Sequence, residues 1–186
     1  MASLYPKIQR FLASGNMAKV VPLQGRHFLV TGCAEGSLGY ATALQLLQQG
    51  AVVAITTRSN SQQTAQALRQ QLPSTLQANV HSFNLNLASY SSVEAMVKAY
   101  QQSGLKLDVL INNAGIHFDL LSQWQSPKLS DDGFEIHWRV NYLGTAHLSY
   151  RLLPCLLQAA KTTGDSRVVN VISQLHSKGQ NSEFFI

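Results

Sequence analysis

Short, nearly continuous apolar runs alternate with segments of helical periodicity along most of this chain, and that alternation leaves few folds open. The runs fall at residues 27–31, 51–57, 80–84, 107–112 and 167–173; most are rich in Val, Ile and Leu, and the third, VHSFN, is the most polar. Between them, residues 38–49, 61–72, 89–102 and most of 132–160 carry apolar residues at helical spacing; Leu38, Ala41, Ala43, Leu46 and Leu47 set the first stripe. Gly50, Pro73 and Gly104 follow the first three of these segments, where helices end. Strands that are apolar throughout, rather than alternating, are buried on both faces. The pattern βαβαβαβαβ with right-handed crossovers then predicts an α/β doubly wound parallel sheet.

Composition narrows the class further. At 186 residues with 45% apolar and 12% charged residues, the chain is one domain's length and too apolar for disorder. No apolar run approaches the roughly 18–20 residues of a membrane span. The net charge is +5, but Lys7, Arg10, Arg26, Arg58, Arg69, Arg139 and Arg167 are scattered and form no nucleic-acid stripe. A phosphate-bearing small ligand would need only one or two of them. Cys33 and Cys155 make neither a disulfide framework nor a four-ligand zinc site and read as small core residues. The six histidines show no metal-ligand spacing, and Trp124 and Trp138 fit either a pocket rim or the core.

Residues 1–24 stand apart. Leu4, Ile8, Phe11 and Leu12 predict a short amphipathic helix. Residues 1–34 lack acids, as a transit peptide would, but the reading adopted is a helical extension docked on the body or on a partner subunit. With no apolar signal core, a cytoplasmic protein is expected. Residues 25–186 form the predicted domain.

The first strand runs into TGCAEGSLG, residues 31–39, which opens the first helix. Glycines let a backbone take positive φ and approach a pyrophosphate, and the following helix N-terminus offers unpaired N–H groups to it. This predicts a Rossmann-like sheet of about five strands in the order 3-2-1-4-5, with a dinucleotide across its switch point; the family resemblance given below implies that the sheet is incomplete. Without a ligand the same residues would be a tight βα turn. The second strand ends in TTRS, residues 56–59. An NAD site usually places an acid there. Arg58, with the Thr57 and Ser59 hydroxyls, would instead pair with a 2′-phosphate and select NADP(H); as a solvated surface residue Arg58 would select nothing.

Three further motifs complete a resemblance. DVLINNAG at 108–115, FEIHWRVNYLG at 134–144 and SRVVNVISQLH at 166–176 resemble, in order, the fourth-strand, active-site-helix and catalytic-serine motifs of the short-chain dehydrogenase/reductase family. DGFE at 132–135 and Ser173-x-x-His176 are most similar to its retinol-dehydrogenase-like members. The glycine turn is one residue longer than the family's usual form and, like residues 51–58, resembles the ketoreductase domains of large fatty acid synthases. The resemblance covers about residues 24–178. It implies that Gly32, Gly36, Ser37, Leu38 and Gly39 wrap the pyrophosphate. Asn86 and Leu87 would meet the adenine, with Asn86 standing where the family has Asp. Asn113, Ala114 and Gly115 would line the cofactor ribose. Asn141 would hold a kinked helix and a relay water, and Ser173 would hydrogen-bond the substrate carbonyl. Plainer readings exist for three of these: Asn113 as a strand-end turn residue, Asn141 as an amide satisfied by backbone, and Ser173 as a strand-end hydroxyl.

The family's proton chemistry uses a Tyr with a Lys four residues on. Tyr5, Tyr40, Tyr90, Tyr100, Tyr142 and Tyr150 are followed at that spacing by Gln9, Leu44, Glu94, Gly104, Ala146 and Pro154. The expectation is therefore the N-terminal portion of an NADP(H)-dependent reductase for a small-molecule carbonyl or alcohol, inactive as this chain, with the fifth strand's edge uncovered. A homo-oligomer, or pairing with a homologue through that edge, would cover it. The alternative is a non-catalytic NADP(H)-binding or regulatory module that pairs with a full-length homologue.

Overall fold

The computed structural model describes residues 21–117 and 128–173. The expected helix within residues 1–24 lies almost wholly outside them, as do Trp124 and His176; residues 21–24 themselves are not helical. Five strands, β1 (His27–Val30), β2 (Val52–Thr57), β3 (Val80–Asn84), β4 (Val109–Asn112) and β5 (Arg167–Asn170), form one sheet in the order β3-β2-β1-β4-β5. Every pairing is parallel. The expected fold and strand order are observed.

Alternation along the strands explains why they read as continuous apolar runs. Leu29, Ala54 and Leu110 point to one side of the sheet and join a core with Tyr100, Leu148 and Leu152. Their neighbours Val30, Val53, Ile55 and Val109 point to the other side and pack with Leu47 and Leu68. Helices α1 (Leu38–Gln48) and α2 (Ser61–Gln70) cover that second face; the short α3 is Ser74–Gln77. The first face is covered by α4 (Tyr90–Gln102) and the long α6 (Thr145–Thr163). No helix among the described residues is long and apolar enough to cross a membrane.

Local chemistry sets the helix ends. Ser37 caps α1 by accepting from Tyr40 N, and Ser89 caps α4 by accepting from Ser92 N. Asn60, at φ 58°, offers no side-chain cap to α2; Asn84 Oδ1 takes the Ser61 N–H instead, at 3.1 Å.

Two elements differ from expectation. Residues 132–135 are not helical. Ser130 and Gly133, the latter at φ 84°, make a turn in which Ser130 N donates to Phe134 O at 2.8 Å, and the helix starts at α5 (Ile136–Trp138). The helix then widens into a π turn, Arg139–Gly144, before α6 resumes the α form. The fifth strand ends at Asn170 rather than 173, although Val171 N still donates to Asn112 O at 2.9 Å. It is an edge strand, and all four of its residues are exposed.

Candidate functional site

At the C-terminal end of the sheet the connections from β1 and β4 run to opposite faces. A crevice opens where they part. It holds about 620 Å³. Gly32, Ser37 and Leu38 line it from the β1–α1 turn, Thr57 and Arg58 from the end of β2, Asn86 and Leu87 from the end of β3, and Asn113, Ala114 and Gly115 from the end of β4. Ten of the residues singled out from the sequence therefore meet in one cleft. Gly36, Gly39, Ser59, Asn141 and Ser173 do not line it.

The glycine turn is held by hydrogen bonds that the motif alone did not reveal. Thr31, fully buried, accepts at Oγ1 from Asn113 N (3.0 Å) and Ala114 N (2.9 Å). Asn113 Nδ2 donates to Thr31 O (2.8 Å) and Gly32 O (3.2 Å). Asn113 thus clamps the turn to β4, as the plainer reading has it, rather than presenting that amine to a ribose. Ser37 Oγ donates to Gly32 O at 3.1 Å while capping α1. Gly39 packs directly on the Gly32 carbonyl, which is why it lies behind the cleft.

The donor set fits a pyrophosphate. The first N–H groups of α1, an 11-residue helix, have no helical carbonyl to pair with, and its first turn has no acid. Glu35 lies in the preceding turn but outside the cleft lining. Arg58 is exposed at the cleft's rim. The Thr57 hydroxyl donates to Ser59 O at 2.6 Å, so its proton is not offered to a 2′-phosphate.

Asn141 sits in the π turn. Its Oδ1 accepts from Ile116 N (2.8 Å) and its Nδ2 donates to Ile116 O (3.0 Å). This is the backbone-satisfied reading, in a side chain that is exposed rather than buried. Ser173 is exposed beyond the β5 ladder. Trp138 is neither core nor cleft lining: it is 42% exposed and stacks on Tyr142 with ring centroids 4.4 Å apart. Cys33 is buried beneath the turn, and burial pushes its thiol up to about 12. Burial also raises Cys155, and both cysteines pack as small residues, Cys33 in the core on one face of the sheet and Cys155 against the core on the other. No metal-holding cluster occurs among the described residues.

Arg139 was not legible as a site residue. It is 3% exposed; its Nε donates to Asp132 Oδ2 at 2.7 Å and its Nη1 to Leu87 O at 2.9 Å. Asp132 lies below the usual carboxylate range, first through the Ser130 hydroxyl and also through Arg139. Arg139 fixes the Asn86–Leu87 wall to the helix that follows the Ser130 turn. Arg139→Met strands the Leu87 carbonyl and is expected to cost about 1–3 kcal/mol in urea unfolding. Arg151→Met, whose side chain is 45% exposed beside Glu94, should cost at most about 1 kcal/mol. Equal midpoints for the two variants would refute this ranking.

The family model described as short chain dehydrogenase matches residues 26–183. Polyprenol dehydrogenase of Mus musculus is 36% identical over 160 residues, covering 85% of this chain and 45% of that protein. Retinol dehydrogenase 11 of Homo sapiens is 34% identical over 175 residues, covering 94% of this chain and 51% of that protein. The chain spans about half the length of the curated relatives it matches. Among solved structures, the Pseudomonas aeruginosa RhlG/NADP active-site complex superposes with a TM-score of 0.66 at 28% identity, covering 84% of this chain and 58% of that one.

Proposed function

We propose a specific role on the premise that this chain belongs to the short-chain dehydrogenase family: it binds NADP(H) in the cleft between β1 and β4. The observation that carries this reading is the end of β2. No carboxylate stands at residues 56–59, and Arg58 lines the cleft across from the glycine turn. Arg58 would grip a 2′-phosphate with two N–H groups, and the first amides of α1 would hold the pyrophosphate. Gly32 lets the backbone come close, and Ala114 and Gly115 give the nicotinamide end a floor without bulk. When bound, the dinucleotide supplies or accepts a hydride.

The complete reaction is then oxidation or reduction at the alcohol or carbonyl of an apolar small molecule. The names of the polyprenol and retinol dehydrogenases, both acting on apolar alcohols, support that class. Ser173 would donate to the carbonyl oxygen as charge develops there. Asn141, through its two bonds to Ile116, would hold the strand-end loop against the π turn. The chain carries no Tyr-x-x-x-Lys to move the proton. A general acid contributes about 10²–10⁴ in rate, so these 186 residues alone should hold cofactor without turning it over.

NADPH fluorescence should rise on titration with the purified chain, while absorbance at its nicotinamide band stays constant across a panel of apolar ketones and aldehydes. Absence of binding at millimolar NADPH would overturn the cofactor reading. Enzyme-like turnover would overturn the inactivity. A second reading, a regulatory module that pairs with a full-length relative, is favoured by the exposed β5 edge with Val168 and Val169. Co-purification with such a relative separates the two.

A further inference from the structure

The glycine turn, residues 31–39, contains no Lys or Arg, and its one charged residue is Glu35. Most of the charge of a phosphorylated dinucleotide must be met elsewhere in the cleft. Among the described residues, the charged side chains lining it are those of Arg58 and Lys128, and no Asp or Glu lines it. The two cations approach from opposite faces of the sheet. Arg58 lies on the connection from β2 to α2, and α2 packs on the second face. Lys128 lies on the turn that opens α5, whose Ile136 joins the first-face core together with Leu85 and Leu87 from the end of β3. The ends of β2 and β3 are neighbours in the strand order, so both cations flank the adenosine half of the cleft. The turn that carries Lys128 sorts its charges. Lys128 O accepts from Ile136 N at 2.9 Å, and Leu129 and Glu135 form an antiparallel bridge. Asp132 is held by Ser130 Oγ at 2.6 Å and by Arg139 Nε at 2.7 Å. Glu135 accepts from Trp138 N at 2.8 Å and pairs with His137 Nδ1 at 2.7 Å. Asp131, Asp132 and Glu135 all stay out of the cleft lining, and the lysine alone among the turn's charged residues reaches it.

We infer that Lys128 is a second specificity-determining residue for the cofactor, facing the 2′-phosphate from the wall opposite Arg58. The inference rests on the cofactor reading above and deepens it. A phosphate monoester carries about −1.5 to −2 charges at neutral pH, and one guanidinium balances about one of them. Lys128 meets the remainder. An ammonium on a flexible stem acts as a point charge and not as a planar fork, so it attracts the phosphate at longer range without fixing its orientation. NADH presents a neutral hydroxyl at that position and gains nothing from the second cation. The acids of the turn would cancel this attraction if they faced the cleft, and their bonds to Ser130, Arg139, His137 and the Trp138 amide hold Asp132 and Glu135 on the far side.

The test is Lys128→Gln in the 186-residue chain, with NADPH and NADH titrated by fluorescence. An exposed charge pair is worth up to about fivefold in affinity, so NADPH binding should weaken about three- to fivefold while NADH binding holds. Lys128→Arg keeps the charge and should keep the wild-type ratio of the two affinities. Lys128 is exposed, so the urea midpoint of Lys128→Gln should match that of the wild type, which separates lost charge from lost fold. If the wild type binds NADPH and Lys128→Gln leaves the NADPH-to-NADH ratio unchanged with both affinities intact, the assignment is wrong while the cofactor reading stands. Equal weakening of both cofactors also overturns it, because the lysine would then act on the pyrophosphate that they share. If the wild type binds neither, the cofactor reading fails and takes this inference with it.

Discussion

Gly32→Ala is expected to lower the free energy of unfolding by about 2–6 kcal/mol, while Gly36→Ala costs about 1–3 kcal/mol. The two glycines sit in the same turn at nearly the same angle, φ 73° and 77°. An L side chain pays the strain of positive φ at either position. They differ in space. A Cβ on Gly32 would stand 2.7 Å from Ala114 Cα, which is backbone held by the Thr31 hydroxyl, whereas a Cβ on Gly36 meets nothing within 4 Å. Overpacking against backbone that cannot yield adds about 1–3 kcal/mol to the strain. Domains of this kind are stable by about 5–15 kcal/mol, so Gly32→Ala can consume much of the margin. Gly39→Ala is the informative third member. In an open helix it would stabilise by up to about 1 kcal/mol. Here its Cβ would lie 2.6 Å from Gly32 O, so the sign should reverse. Urea midpoints ordered Gly32→Ala below Gly36→Ala below wild type are expected. Equal midpoints for the two variants would mean that β4 gives way freely and that the turn is not clamped.

The same turn shows what a sequence can and cannot disclose. Gly32 and Gly36 were legible because positive φ leaves few alternatives to glycine. β1, β2 and β4 were legible because strands buried on both faces must be apolar at every position. That rule misleads at β5: Val168 and Val169 lie in the ladder and are 44% and 42% exposed, and the similar Val171 and Ile172 lie past the strand's end at 44% and 74%. Nothing in a run of β-branched residues says where its neighbour strand stops. The π turn was hidden for another reason. An inserted residue changes the phase of the apolar stripe without breaking it, and only the mid-helix Asn141 hinted at something unusual. Arg139 was the hardest to see. Arginine is almost always solvated, so its sequence position reads as surface. Its burial depends on Asp132, brought back by the turn at Gly133, and on the Leu87 carbonyl, 52 residues away. Ser37 was legible as a residue of the turn that lines the cleft, but its double role, capping α1 while bonding Gly32 O, required the fold.

Arg58→Asp is expected to shift the ratio of NADPH to NADH affinity by at least about a hundredfold toward NADH. A hydrogen bond from a charged group is worth about 1.5–3 kcal/mol, or about 10–150-fold, and a guanidinium can make two to one phosphate. An aspartate removes that grip, repels the phosphate, and accepts from the ribose 2′-hydroxyl that NADH presents there. The substitution should be nearly silent in the fold. Arg58 is exposed, and no ion pair among the described residues engages it, so the free energy of unfolding in urea should change by no more than about 0.5 kcal/mol. Arg58→Lys separates charge from shape: the ammonium keeps the attraction and loses the planar fork, so the ratio should fall between those of wild type and Arg58→Asp. Salt gives an independent reading. Raising ionic strength should weaken NADPH binding to the wild type more than NADH binding, and that difference should reverse in Arg58→Asp, where salt screens a repulsion. If the wild type binds the two cofactors equally and Arg58→Asp leaves them equal, Arg58 is a solvated surface residue and the empty acidic position at the end of β2 selects neither cofactor.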